Sequence, residues 1–128
     1  MENKASSFPK EFRSPCPIAC VLDILGDKWT LLVIRDLFLN KHRYSEFIES
    51  PEGIPTNILA DRLKRLEAAG LVSRQLYQSN PQRSEYFLTP MGTELKPVLS
   101  SMLQWAQRHI PDVRLPKGYQ KAEIPAEA

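Results

Sequence analysis

The chain is poor in the residues and patterns that mark several large protein classes. It holds two cysteines, Cys16 and Cys20, in 128 residues. That count does not build the disulfide scaffold of a small secreted chain. It holds two histidines, His42 and His109, remote from each other and from the cysteines in sequence. Cysteine catalysis needs a positioned base, and a soft-metal site on Cys16 and Cys20 would need further ligands nearby. Neither is supplied locally. No Gly-rich phosphate loop, carboxylate pair or internal repeat stands out, so neither an enzyme nor a bound cofactor or metal is expected. No apolar run approaches the ~20 residues that span a bilayer, and the polar start Met1–Ser7 lacks the apolar core of a signal peptide. A cytoplasmic location away from membranes is expected. Charge of one sign is also scarce, with a formal net charge of only +2. Any interface for nucleic acid must therefore depend on where charges stand rather than on their total.

What is present supports one folded domain. Hydrophobic residues make up 42% of the chain, enough for a real core. Residues 1–14 lack periodicity and read as a flexible arm. Residues 15–110 read as the domain, and residues 111–128, broken by Pro111, Pro116 and Pro125, as a tail. Cys16-Pro17 suits the first turn of a helix, since the missing Pro N–H has no partner there anyway. That helix carries Val21, Leu22, Ile24 and Leu25 and stops at Gly26. Asp27 can cap a second helix from Lys28 to about Phe38. It is apolar on nearly every side, as a buried central helix should be. A last helix begins at Thr89-Pro90 and runs to about His109, with a kink expected at Pro97. Its apolar positions Leu95, Val98, Leu99, Met102, Leu103, Trp105 and Ala106 cover more surface than one small core needs. With the first helix they could form a subunit interface, or they could only fill the monomer core.

Between these flanks, residues 43–89 predict a short helix from Ser45, a tight turn at Ser50-Pro51-Glu52-Gly53 and an amphipathic helix from Thr56 to Ala69. Gly70 ends that helix. A hairpin follows, Leu71–Tyr77 and Ser84–Thr89, around a polar turn from Gln78 to Arg83. Two helices across a tight turn, then a hairpin, make a winged helix-turn-helix: mainly α with a small β wing. Such a fold offers one helix to the DNA major groove and a loop beside it. On the second helix Leu59, Leu63 and Leu66 form the core face. The opposite face carries Asn57, Asp61 and Lys64, flanked by Ala60 and Arg65, with Thr56 near the N-terminus. Asn can pair with adenine and Lys with guanine or phosphate, while Asp61 could accept from cytosine or orient a neighbouring reader. Arg83 at the wing tip could meet the minor groove or phosphates. Ser45 could bind a phosphate or serve only as a cap. An ordinary solvated helix face and a plain hairpin loop are the bland alternatives. A winged-helix module that binds only protein is the other functional one, favoured by the near-neutral charge. Within 43–89, Arg43, Arg62, Lys64, Arg65, Arg74 and Arg83 are matched by Glu46, Glu49, Glu52, Asp61, Glu67 and Glu85.

Several stretches carry a family resemblance. They are Cys16-Pro17-Ile18, Leu25-Gly26-Asp27-Lys28-Trp29-Thr30-Leu31-Leu32 and Arg43-Tyr44-Ser45-Glu46-Phe47. They continue through Gly53-Ile54-Pro55-Thr56-Asn57-Ile58-Leu59, Arg62-Leu63-Lys64-Arg65-Leu66-Glu67 and Gly70-Leu71-Val72. Glu85-Tyr86-Phe87-Leu88-Thr89-Pro90-Met91-Gly92 and a helix bearing Leu95, Pro97, Val98 and Trp105 complete the set. In this order they resemble the HxlR-type winged-helix transcriptional regulators, over residues 16 to about 109. The resemblance implies a homodimer joined through the first and last helices, bound to palindromic double-stranded DNA and regulating nearby genes. It also implies that a cysteine at the start of the first helix, here Cys16, can sense electrophiles, oxidants or aldehydes. Pro55 departs from the Ser that many members place before the recognition helix, so Thr56 would have to cap in its stead.

The physics of that cysteine is permissive. At a helix N-cap the positive end of the helix dipole favours the reactive thiolate. Cys20, among Ile18, Val21 and Ile24, reads as a small buried hydrophobe. An unreactive Cys16 packed at an interface is the plain alternative.

Overall fold

A computed structural model describes residues 11–119. The chain divides into two compact units, residues 1–93 and 94–128.

In the first unit, helix α1 spans Pro17–Leu25 and helix α2 spans Thr30–Phe38. Gly26 closes α1 where any side chain would collide, since a Cβ there would lie 2.3 Å from the Leu22 carbonyl oxygen. Asp27 caps α2 as expected, but the helix begins two residues later than Lys28. The reason is the cap itself. The Asp27 carboxylate accepts the N–H groups of Trp29 at 3.0 Å and Thr30 at 3.2 Å, and also the Thr30 hydroxyl. Lys28 and Trp29 are thereby held in a turn ahead of the helix. Every residue of α2 is buried or half-buried, with Ile34 wholly enclosed, so it is the central helix.

Helix α3, Tyr44–Ile48, is short and sends Phe47 into the core. Its start is held by Glu46, whose carboxylate accepts the N–H groups of His42 at 2.7 Å and Arg43 at 3.1 Å. Those two bonds keep the carboxyl below its ordinary titration range. The turn after α3 needs Gly53, which sits at φ 71°. Helix α4, Thr56–Ala68, buries Leu59, Leu63 and Leu66, the face predicted from periodicity. It ends in a Schellman arrangement. Leu71 N–H reaches Leu66 O at 3.0 Å and Gly70 N–H reaches Glu67 O at 3.0 Å, with Gly70 at φ 84°.

Strands β1, Val72–Ser79, and β2, Gln82–Leu88, pair antiparallel from Val72↔Leu88 to Ser79↔Gln82, and a bulge leaves Tyr77 unpaired. The expected six-residue turn from Gln78 to Arg83 is thus only Asn80-Pro81. Gln78 pairs with Arg83 and Ser79 with Gln82, so the strands run out almost to the tip. Arg83 consequently stands on a strand rather than in a loop. Helix α5, Pro90–Thr93, follows, capped by the Thr89 hydroxyl oxygen, which accepts Gly92 N–H at 3.1 Å.

A buried polar group ties α2 to the turn before α4. The Ser50 hydroxyl donates to Asp36 at 2.6 Å and accepts from Lys41 Nζ at 2.8 Å. Arg35 donates two parallel bonds of 2.8 Å to Glu52 and also pairs with Asp36. Paired and hydrogen-bonded in this way, the charges tolerate burial.

The second unit holds helix α6, Lys96–His109. The expected single helix kinked at Pro97 is instead two helices, because α5 stops at Thr93 and α6 restarts with Pro97 in its first turn. A proline inside a continuous helix forfeits a ladder bond and clashes with the preceding turn. In a new first turn its missing N–H costs nothing. Leu99 is buried, while Val98, Met102 and Trp105 are exposed along one stripe. The Trp105 ring lies 4.9 Å from that of His109. Residues 110–119 carry turns and neither helix nor strand. Tyr119, a possible docking residue by sequence, is half-buried, and Ile124 lies outside the described residues. Among the described residues no helix is long and apolar enough to cross a membrane.

Candidate nucleic-acid interface

Helix α4 presents Thr56, Asn57, Ala60, Lys64 and Arg65 to solvent on the side away from its leucines, with Asp61 half-buried among them. Ser45 is exposed in the first turn of α3, and Arg83 is exposed near the hairpin tip. The eight residues singled out from sequence therefore lie on three elements, α3, α4 and β2.

The near-zero charge balance resolves once the ion pairs are traced. Arg43 pairs with Glu85 at 2.9 Å, and Arg62 with Asp27 at 2.8 Å and with Asp61. Arg65 pairs with Asp61 at 2.9 Å, and Arg74 with Glu67 at 3.4 Å. Among the described residues, Lys64 and Arg83 alone of the six cations in 43–89 make no ion pair. One stands on the exposed face of α4 and the other on the wing. Arg65 is two-thirds exposed, so its pair with Asp61 is readily exchanged for a phosphate.

Thr56 does not cap α4. Pro55 takes the N-cap position at φ −65°, ψ 146° without a side-chain bond, and Thr56 becomes the first helical residue. Proline's fixed φ already suits this place. The first N–H groups of α4 are thus left without a side-chain cap, at the end where a helix attracts anions. Asp61 is engaged by two arginines, Arg62 and Arg65.

Three contributors, Arg62, His42 and Arg43, are not evident from sequence. Arg62 Nε donates to Asp27, linking the start of α2 to α4. Burial pushes the Asp27 carboxyl up, but bonds from Thr30, Arg62 and the Trp29 N–H outweigh it and hold the group far below its usual range. By sequence His42 is only part of a turn. Its carbonyl accepts Tyr86 N–H at 2.9 Å and its Nδ1–H donates to Tyr86 O at 2.8 Å. Its ring stacks on Phe87 at 4.3 Å. Arg43 contacts the wing as well. His42 and Arg43 stand just ahead of α3, whereas Arg62 lies inside α4 and carries no local signal, and their partners are 35 to 44 residues away.

Cys16 is exposed at the N-cap of α1, and both cysteines are free. Its N–H reaches the Ser14 hydroxyl at 3.1 Å. Cys20 is half-buried rather than buried, and its Sγ donates to Ser14 O at 3.4 Å. Arg13, placed in the N-terminal arm by sequence, donates its backbone N–H to Asp23 at 3.1 Å.

Residues 24–114 match the family model described as HxlR-like helix-turn-helix. The chain belongs to this family. Among its relatives is an uncharacterized HTH-type transcriptional regulator, sll1512, of Synechocystis sp., 41% identical over 68% of this chain and 64% of that protein. Another is the HTH-type transcriptional regulator YybR of Bacillus subtilis, 32% identical over 84% of each chain. A solved structure of the redox regulator HypR in its oxidized form is 34% identical, with a TM-score of 0.67, covering 77% of this chain and all of that one. The HxlR-like protein is thus a winged helix-turn-helix member of a family of transcriptional regulators.

Proposed function

We propose that this HxlR-like protein is a non-enzymatic, DNA-binding regulator of transcription, acting as a homodimer on a palindromic operator. The observation that carries this reading is the distribution of unpaired positive charge. Of six cations in the winged-helix segment, the two without acidic partners among the described residues are Lys64, on the outward face of α4, and Arg83, on the wing. Asn57 and Ala60 complete a face able to read bases, and Thr56, Ser45 and Arg65 suit the backbone. The dimer reading is supported by two apolar stripes exposed at helical spacing: Ile18, Val21 and Leu22 on α1, and Val98, Met102 and Trp105 on α6. The domain would then comprise residues 15–110.

The test is a salt titration of DNA affinity. Contact with Z phosphates gives a slope of about −0.9Z in log K against log salt. A module that binds only protein would show no such slope with duplex DNA. Sedimentation at micromolar concentration checks the dimer. A monomer there, or a dimer that buries the Asn57–Lys64 face, counts against the reading.

A second layer is supported by Cys16. The thiol is exposed at a helix N-cap, and a neighbour of similar structure is named a redox regulator. Oxidant or electrophile sensing through Cys16 fits both facts.

A further inference from the structure

His42 and Arg43 meet the wing in sequence. Along one face of β2 the alternating positions are Phe87, Glu85 and Arg83. The His42 ring stacks on Phe87, and Arg43 Nε donates to Glu85 Oε2 at 2.9 Å. The next position outward is Arg83. Arg43 also reaches the other strand, since its guanidinium carbon lies 3.8 Å from the centre of the Tyr77 ring. Tyr77 is the extra residue of the β1 bulge, a feature that re-aims a side chain and bends its strand.

We propose that Arg43 is a positioning residue of the DNA interface, which with Glu85 and Tyr77 fixes the angle of the wing and hence where Arg83 meets DNA. This role rests on the DNA-binding reading above. The outer wing has little else to hold it. From Ser73 to Ser79 every β1 residue is exposed, and a two-stranded hairpin without core packing is marginal in water. The His42 contacts anchor the wing at its base, at Tyr86 and Phe87. The Arg43 contacts lie one step closer to the tip and bridge both strands. A guanidinium suits the task because its face stacks on a ring while its edge donates to a carboxylate. A lysine cannot do both at once.

Arg43 is itself 46% exposed, so a direct phosphate contact is the rival account, and the experiment separates the two. It uses the full chain, random-sequence duplex DNA as the probe, and the variants Arg43→Leu, Arg83→Ala, their double and Tyr77→Leu. Hydrogen exchange is followed first, without DNA. Arg43→Leu and Tyr77→Leu are expected to speed exchange of the wing amides from Gln82 to Ser84 and to leave those of Leu63 and Leu66 unchanged. Affinity is then titrated against salt. Arg83→Ala should flatten the slope by about 0.9, one phosphate contact. Arg43→Leu should flatten it by a similar amount, and the double variant by no more than either. Tyr77→Leu keeps the Arg43 charge and should still flatten it. A double variant that loses about twice the single amount makes Arg43 a direct contact and overturns the proposal, as do wing amides that exchange at the unaltered rate. Absence of salt-dependent binding by the unaltered protein overturns the DNA-binding reading and this role together, whereas retained binding with additive losses overturns this role alone.

Discussion

Replacing Asp27 tests whether the start of α2 and helix α4, the proposed DNA-reading helix, are one mechanical unit. Its carboxylate accepts the N–H groups of Trp29 and Thr30, the Thr30 hydroxyl and Arg62 Nε. Asp27→Ala removes both functions. Loss of an N-cap costs about 1 kcal/mol, and loss of a hydrogen bond between charged groups about 1.5–3 kcal/mol. Arg62 keeps Asp61 as a partner, so the total should fall near about 2–3 kcal/mol, or on the order of 10–20 °C in Tm. Asp27→Asn keeps a good capping side chain and loses the charge, so it should cost about half as much. The pH dependence has a definite sign. The folded-state pKa of Asp27 is depressed, so its charge contributes stability fully above the unfolded value of about 3.9. That contribution is lost as pH falls from there toward the lower folded value. The gap between the unaltered protein and Asp27→Asn should be flat above about pH 5 and narrow below about pH 4. Thermal unfolding followed by circular dichroism from pH 7 to pH 3 measures it. If both variants melt with the unaltered protein at pH 7, the Asp27–Arg62 link does not hold α4.

Other outcomes are equally specific. Lys64→Ala and Asn57→Ala should each weaken binding to the cognate operator by about 1–3 kcal/mol, read by fluorescence anisotropy at fixed salt; unchanged affinity in both would remove the assigned reading face. Gly70→Ala places a Cβ on a backbone at φ 84° and should destabilise by about 1–2 kcal/mol in urea denaturation. Alkylation of Cys16 should proceed faster than that of half-buried Cys20 and alter operator affinity. Cys16→Ser should retain binding but lose the response, and unchanged affinity after complete modification would make the residue structural.

Local pattern carried most of the fold. The leucine face of α4, the glycines at 53 and 70, the capping Asp27 and the proline-led starts of α1 and α5 each depend on neighbours within a few residues, which is what periodicity and turn chemistry report. The errors have the same origin seen from the other side. The wing turn is shorter than its sequence suggests because Gln78 and Arg83 look like loop residues until they are paired across the hairpin. At Pro97 nothing local says whether a helix bends or stops and restarts. For the site, the exposed face of α4 was legible, but the state of its charges was not. Arg62 and Lys64 are both basic residues on one helix, and only the fold decides that one is spent on Asp27 while the other stays open.

The contact of His42 with Tyr86 also bears on self-association. A two-stranded hairpin has two outer edges, each a row of amide groups able to pair with another chain. On the β2 side, the backbone and ring of His42 already occupy both polar groups of Tyr86, as a one-residue third strand. On the β1 side, the bulge at Tyr77 breaks the regular spacing that an incoming strand would need. The β2 edge is therefore interrupted toward the base of the wing and the β1 edge toward its tip. A wing this exposed can reach outward as a lone hairpin without becoming a template on which copies of the protein stack edge to edge.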